Sequence, residues 1–154
     1  MLDKNNKNHF AILALILEES MVIKRLKKIA MTSMKKAYSP YSGIKVGAAI
    51  MDNRSRVYSG CNVENASYGL TICAERVAAV KAISSGSKYF PYVLIVSNLK
   101  EFIYPCGACR QFLIEFSNQY KDTKIIVSNR RDTRVLKLRE LLPNAFELRR
   151  VDRK

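Results

Sequence analysis

Residues 92–96 read Tyr92-Val93-Leu94-Ile95-Val96, five apolar residues with no polar position among them. A strand with one wet face alternates, so this unbroken run predicts a strand covered on both faces. Before it, Val77, Val80 and Ile83 form the apolar face of a predicted helix that opens with Thr71 as N-cap and ends before Gly86. After it, Pro105 is expected to open a second helix carrying Phe112, Leu113 and Phe116. Farther out, Lys45 to Met51 and Val57 to Val63 read as strands around an Asp52-Asn53-Arg54-Ser55 turn. Lys124 to Val127 and Val135 to Leu138 read as further strands, and Leu141-Leu142-Pro143 ends a short last helix. From Met21 to Lys36, the apolar residues Val22, Leu26, Ile29, Ala30 and Met34 keep a helical period until Tyr38-Ser39-Pro40-Tyr41-Ser42-Gly43 breaks it as a loop. Strands alternating with helices make a single α/β domain, its sheet covered by helices on both faces.

The 154 residues suit one domain, and 48% hydrophobic with 26% charged residues excludes a disordered chain. There is no internal repeat. Residues 1–20 differ in composition from the rest of the chain: polar residues, then the apolar run Phe10 to Leu17, then Glu18 and Glu19. They are read as an N-terminal extension, with residues 21–154 as the domain proper. The run of eight is far short of the ~20 residues that span a bilayer. Lys4 and Lys7 imitate the start of a signal peptide, but the two glutamates come at once after the run and no small-residue cleavage site appears. The expected location is the cytoplasm, where cysteines stay reduced and serve more often as ligands or nucleophiles than as disulfides.

Cys106-Gly107-Ala108-Cys109 is a pair of cysteines three apart, directly after Pro105, and Cys73 lies 33 residues before Cys106. Both groups fall at predicted helix starts, where free N–H groups and the helix dipole stabilise a thiolate. Three thiolates leave the fourth tetrahedral position of a zinc ion open, the pattern of catalytic rather than structural sites. A lone pair of this kind is also compatible with redox chemistry, and Cys61 could close a four-sulfur structural site. Glu75 tips the reading towards catalysis. It lies two residues after Cys73, off the ligand face but able to lean over the open position and move a proton. Arg76 supplies positive charge against the thiolates.

The segments Cys73-Ala74-Glu75-Arg76 and Pro105-Cys106-Gly107-Ala108-Cys109-Arg110-Gln111 resemble the cytidine deaminase family, in its small homotetrameric form. The resemblance runs from about Tyr38 to Phe146. It implies a three-layer α/β/α fold with a mixed sheet of about five strands, and Zn2+ held by Cys73, Cys106 and Cys109. It implies hydrolytic deamination of cytidine and deoxycytidine to the uridines, with Glu75 as proton shuttle. Cys61-Asn62-Val63-Glu64-Asn65-Ala66 is similar to the family segment that holds the ribose, which implies Asn62 and Glu64. The resemblance further implies that the Ala74 N–H holds the base carbonyl, and that Ala66, Tyr68 and Phe146 reach a neighbouring subunit's site. Ile44 stands where family members commonly have a phenylalanine against the pyrimidine. Met21 falls where the family's first helix begins, and Cys61, matching no ligand position, is read as a buried thiol.

The charge, 27 Lys+Arg against 13 Asp+Glu, is +14. Its clusters, Lys24-Arg25-Leu26-Lys27-Lys28 and Arg130 to Arg134, are not interleaved with aromatics, which argues against a nucleic-acid groove. The expected partners are a small nucleoside and further copies of the chain. The rival readings are a closed four-cysteine zinc module, a polynucleotide cytosine deaminase, and a deaminase of another aminated heterocycle such as a cytosine nucleoside antibiotic. The last is left open by Ile44.

Overall fold

The computed structural model describes residues 4–117 and 122–148, with side chains from His9 onward. The order of elements is α1 (Lys4–Met34), β1 (Val46–Met51), β2 (Val57–Cys61), a 3-10 turn (Tyr68–Leu70), α2 (Ala74–Ser84), β3 (Tyr92–Ser97), α3 (Gly107–Ile114), β4 (Lys124–Ser128), β5 (Thr133–Lys137) and α4 (Leu138–Leu141). The five strands form one sheet in the order β2-β1-β3-β4-β5. Only β3 and β4 pair in parallel; β1 is antiparallel to both β2 and β3, and β5 to β4. The sheet is mixed, as expected.

The strand at residues 92–96 is buried on both faces for the reason its composition suggests. Val93 and Ile95 point into a core with Ala78, Ala82, Phe90 and Leu113, on the side of α2 and α3. Leu94 and Val96 meet Leu26 and Ala30 of α1 on the other side. Two glycines let the helices come close. A Cβ on Gly47 would lie 2.1 Å from the Ala30 carbonyl, and one on Gly60 would lie 2.4 Å from that of Ala74.

Four local expectations are corrected. The first helix does not begin at Met21; α1 runs unbroken from Lys4. α2 starts at Ala74, with Cys73 rather than Thr71 as its N-cap. The chain cannot turn earlier, because Val63 and Ile72 exchange both backbone hydrogen bonds at 2.9 Å and hold residue 72 extended. The buried face of α2 is Ala74, Glu75, Ala78, Ala79 and Ala82, whereas Val80 is 53% exposed. Small residues suit the positions where the helix backbone lies this close to a strand. Finally, β2 stops at Cys61, because the Asn62 side chain bonds to the backbone of residues 44 and 46.

Candidate metal and catalytic centre

Gly60 pairs with Ala48, which pairs with Ile95, so the close approach of Ala74 to Gly60 sets the start of α2 near the carboxyl end of β3. The segment after β3 brings the start of α3 to the same place. Cys73 and Cys106 are the N-caps of the two helices (φ −71° and −66°), and Cys109 lies in the first turn of α3. Their sulfurs converge: Cys73 Sγ is 4.0 Å from Cys106 Sγ, and Cys106 Sγ is 3.4 Å from Cys109 Sγ. All three lie within 4.8 Å of one another, and all are free thiols. Sulfurs bound to one tetrahedral zinc at ~2.3 Å stand about 3.8 Å apart, so these residues fit the ion. Cys61 is outside the cluster, and it is half-buried rather than buried. That leaves three candidate ligands among the described residues, the number a catalytic site uses.

The centre is already polarised. A hydrogen bond from the Cys109 thiol, aided by Arg76, pulls Cys73 down to about 5 despite its burial, and the same hydrogen bond pushes Cys109 up. Cys73 is therefore poised as a thiolate. Arg76 Nη2 donates to the Thr71 carbonyl at 3.0 Å and lies 4.0 Å from Cys73 Sγ, so this arginine faces the sulfurs instead of solvent. Its Nε is buried with no hydrogen-bond partner among the described residues. Glu75 is 4% exposed, and burial, aided by the Cys73 charge, pushes its carboxyl up. A carboxyl whose proton affinity is raised next to a metal cradle is suited to shuttling protons.

The residues expected at a sugar site are near neighbours of one another but are engaged within the chain. Asn62 Oδ1 accepts from Val46 N at 2.8 Å, and its Nδ2 donates to the Ile44 carbonyl at 2.9 Å. Glu64 accepts from Tyr41 N at 2.9 Å, Ser42 N at 3.3 Å and the Ser42 hydroxyl. Those bonds, the Ser42 hydroxyl foremost, hold its carboxyl below the usual range. Ser42 Oγ in turn accepts from Ile44 N, so Asn62, Glu64 and Ser42 fix the loop that carries Ile44. Ala66, Tyr68 and Phe146 are exposed; Tyr68 is 81% and Phe146 70% exposed.

Two positioning residues were not singled out from the sequence. Gln111 grips the backbone of Phe146 twice, Nε2 donating to its carbonyl at 2.8 Å and Oε1 accepting from its N–H at 3.2 Å. Arg110 donates to the carbonyls of Pro105 and Leu141 at 2.8 and 3.0 Å. Both directly follow Cys109, so the helix that carries two thiols also anchors the C-terminal segment. Their signal was only their adjacency to a ligand.

Comparison with known proteins agrees with this geometry. The sequence model of the cytidine and deoxycytidylate deaminase zinc-binding region matches residues 20–127. A probable cytidine deaminase of Dictyostelium discoideum is 45% identical over 119 residues, covering 76% of this chain and 78% of that protein. The cytidine deaminase of Halalkalibacterium halodurans is 43% identical over 122 residues, 79% and 91% of the two chains. Among solved structures, a cytidine deaminase from Burkholderia pseudomallei superposes with a TM-score of 0.74 at 43% identity, over 80% of this chain and 98% of the other. One from Mycobacterium tuberculosis gives 0.69 at 37% identity, over 81% and 97%.

Proposed function

The chain belongs to the cytidine and deoxycytidylate deaminase family, and from that premise we propose that it hydrolyses cytidine and deoxycytidine to the corresponding uridines, releasing ammonia. The observation that carries this reading is the meeting of two helix N-termini, where three thiols converge beside one buried carboxyl.

Cys73, Cys106 and Cys109 hold zinc, which when bound supplies the Lewis acid that makes water nucleophilic at neutral pH. Glu75 takes the proton of the attacking water on a carboxylate oxygen and delivers it to N3 of the pyrimidine. It then takes the remaining proton from the new C4 hydroxyl and passes it to the amine, which departs as ammonia as the C4 carbonyl forms. Its burial keeps that proton from leaking to solvent. Ala74, first residue of α2, offers a backbone N–H with no partner inside the helix, and this holds the base carbonyl. Arg76 and the two helix dipoles offset the thiolate charge. Asn62 keeps a second amide hydrogen and Glu64 further lone pairs beyond the loop bonds described above, and these grip the ribose hydroxyls. Ile44 flanks the pyrimidine with an aliphatic surface.

The catalytic unit of this proposal is residues 21–154, with residues 1–20 an addition to it, in a cytoplasmic homotetramer. Ala66, Tyr68 and Phe146, exposed on their own chain, complete a neighbour's site. The test is the zinc-to-chain ratio of purified protein, together with the fall in ultraviolet absorbance as cytidine becomes uridine. One zinc per chain with turnover is the expected result. A zinc-loaded protein inert towards both nucleosides would overturn the substrate.

A further inference from the structure

α1 packs on β1, β2 and β3 with Leu26, Ala30 and Ser33 turned inward. On the opposite side Phe10, Leu13, Leu17 and Met21 succeed one another at three- and four-residue spacing and are 66%, 42%, 64% and 72% exposed. The same stripe continues through Lys24, Lys28, Met31 and Lys35, all exposed. Helical periodicity puts the seven residues from Phe10 to Met31 on one face, with Lys35 just past the end of the helix, apolar in its first half and mainly cationic in its second. Towards the N-terminus Ile12, Leu15 and Ile16 are also more than half exposed, so this stretch is apolar nearly all round. The matched family region begins at residue 20, so the family fold does not account for this part of the helix.

Further cations lie beside α1. Lys27 Nζ donates to the Asn129 carbonyl at 3.2 Å, joining the helix to the turn between β4 and β5. There Lys100, Arg130 and Arg131 line a recess of about 470 Å³ with Asn129 and Asp132. The acids of α1 do not oppose this charge: Glu19 is paired with Lys124, and Glu18 falls off the stripe.

From this face we propose that the protein docks on an anionic lipid surface, with α1 lying in the plane of the headgroups. The apolar half enters the acyl boundary while the lysines and the arginines of the turn meet acidic headgroups, the two signals that together hold a peripheral protein. A second copy on the same face would bring together two chains that each carry a charge of +14. A nucleic acid would leave Phe10, Leu13 and Leu17 in water. Among the described residues no helix is long and apolar enough to cross a membrane, and the proposed contact is with the surface.

The experiment is co-sedimentation of the full chain at low salt with vesicles of phosphatidylcholine, alone or mixed equally with phosphatidylglycerol. Binding to the mixed vesicles should be at least tenfold tighter and should weaken with salt. Phe10→Asp with Leu17→Asp should lose at least tenfold in vesicle binding with cytidine turnover unchanged, which also shows that the variant folds. Lys24→Glu with Lys28→Glu should lose a similar factor, since each lysine is worth several-fold near such a surface. Met21→Glu reads the same face should the double apolar variant not fold. Three results would overturn the proposal: no sedimentation with anionic vesicles, equal binding to neutral ones, or binding indifferent to the apolar substitutions and matched by a single-stranded homopolymer. So would a wild type that ignores vesicles but self-associates through this face in light scattering.

Discussion

Glu75 lies two positions after a thiol of the cluster, and the first turn of α2 buries it beside Cys73 and Cys109. Glu75→Gln keeps the shape and removes the proton carrier. Turnover should fall by 10²–10⁴, about 3–5 kcal/mol of barrier, while metal analysis still finds zinc. Near-normal turnover would refute the shuttle role. Asp52 is a buried acid with a different duty. It is 1% exposed and accepts from Arg54 N, Arg56 N, Arg56 Nε and the Ser87 hydroxyl, at 2.7–2.9 Å. Burial works against its ionisation, but the Ser87 and Arg56 bonds outweigh it and hold the carboxyl below its ordinary value. Its contribution to stability is therefore complete above the unfolded value of about 3.9 and is lost as pH falls through the lower folded value. Asp52→Asn should cost about 1–3 kcal/mol in denaturant titrations at pH 7, and the gap should narrow below pH ~4. Glu75 was legible because its spacing from Cys73 has chemical meaning. Asp52 was legible only as a turn residue, since its partner Ser87 is 35 residues away.

At the scale of elements, the metal cluster depends on how closely α2 lies on β2. A Cβ at Gly60 would fall 2.4 Å from the Ala74 carbonyl and 2.6 Å from Ala78 N, both of them backbone that cannot rotate away. Gly60→Ala should cost at least about 1–3 kcal/mol in thermal unfolding and should lower zinc retention, because shifting α2 moves Cys73 away from Cys106 and Cys109. Gly69→Ala, whose new methyl meets nothing within 4 Å, serves as the control and should change neither. A glycine inside a strand signals close approach, but which helix approaches is invisible locally. The same ambiguity explains α2: of the expected apolar face, Ile83 packs against the core and Val77 is half-buried, but Val80 is exposed and small alanines take the positions nearest the sheet. The strands were easier, since β3 carries its double burial in its own composition.

For the whole molecule, Tyr68 and Phe146 are more exposed than large aromatics normally stay, and Gln111 holds Phe146 in place from α3. Shared sites would make that surface productive. Mixing inactive Glu75→Gln chains with Phe146→Ala chains under exchange conditions should restore activity above either parent, because some composite sites draw both intact residues from different chains. A fully active monomer in light scattering at assay concentration would exclude the shared site.

By itself the sequence determined the alternation of strands and helices, the helix starts that carry cysteine, and the glutamate two residues beyond Cys73. These come from spacing along the chain, to which local backbone geometry and metal chemistry both respond. Only the tertiary structure decided that Cys61 stays outside the cluster, that Asn62 and Glu64 brace the loop of Ile44, and that α1 continues as one helix with an uncovered face. Those outcomes turn on distances between residues remote in sequence, set by how closely the helices pack on the sheet, and no local pattern carries that information.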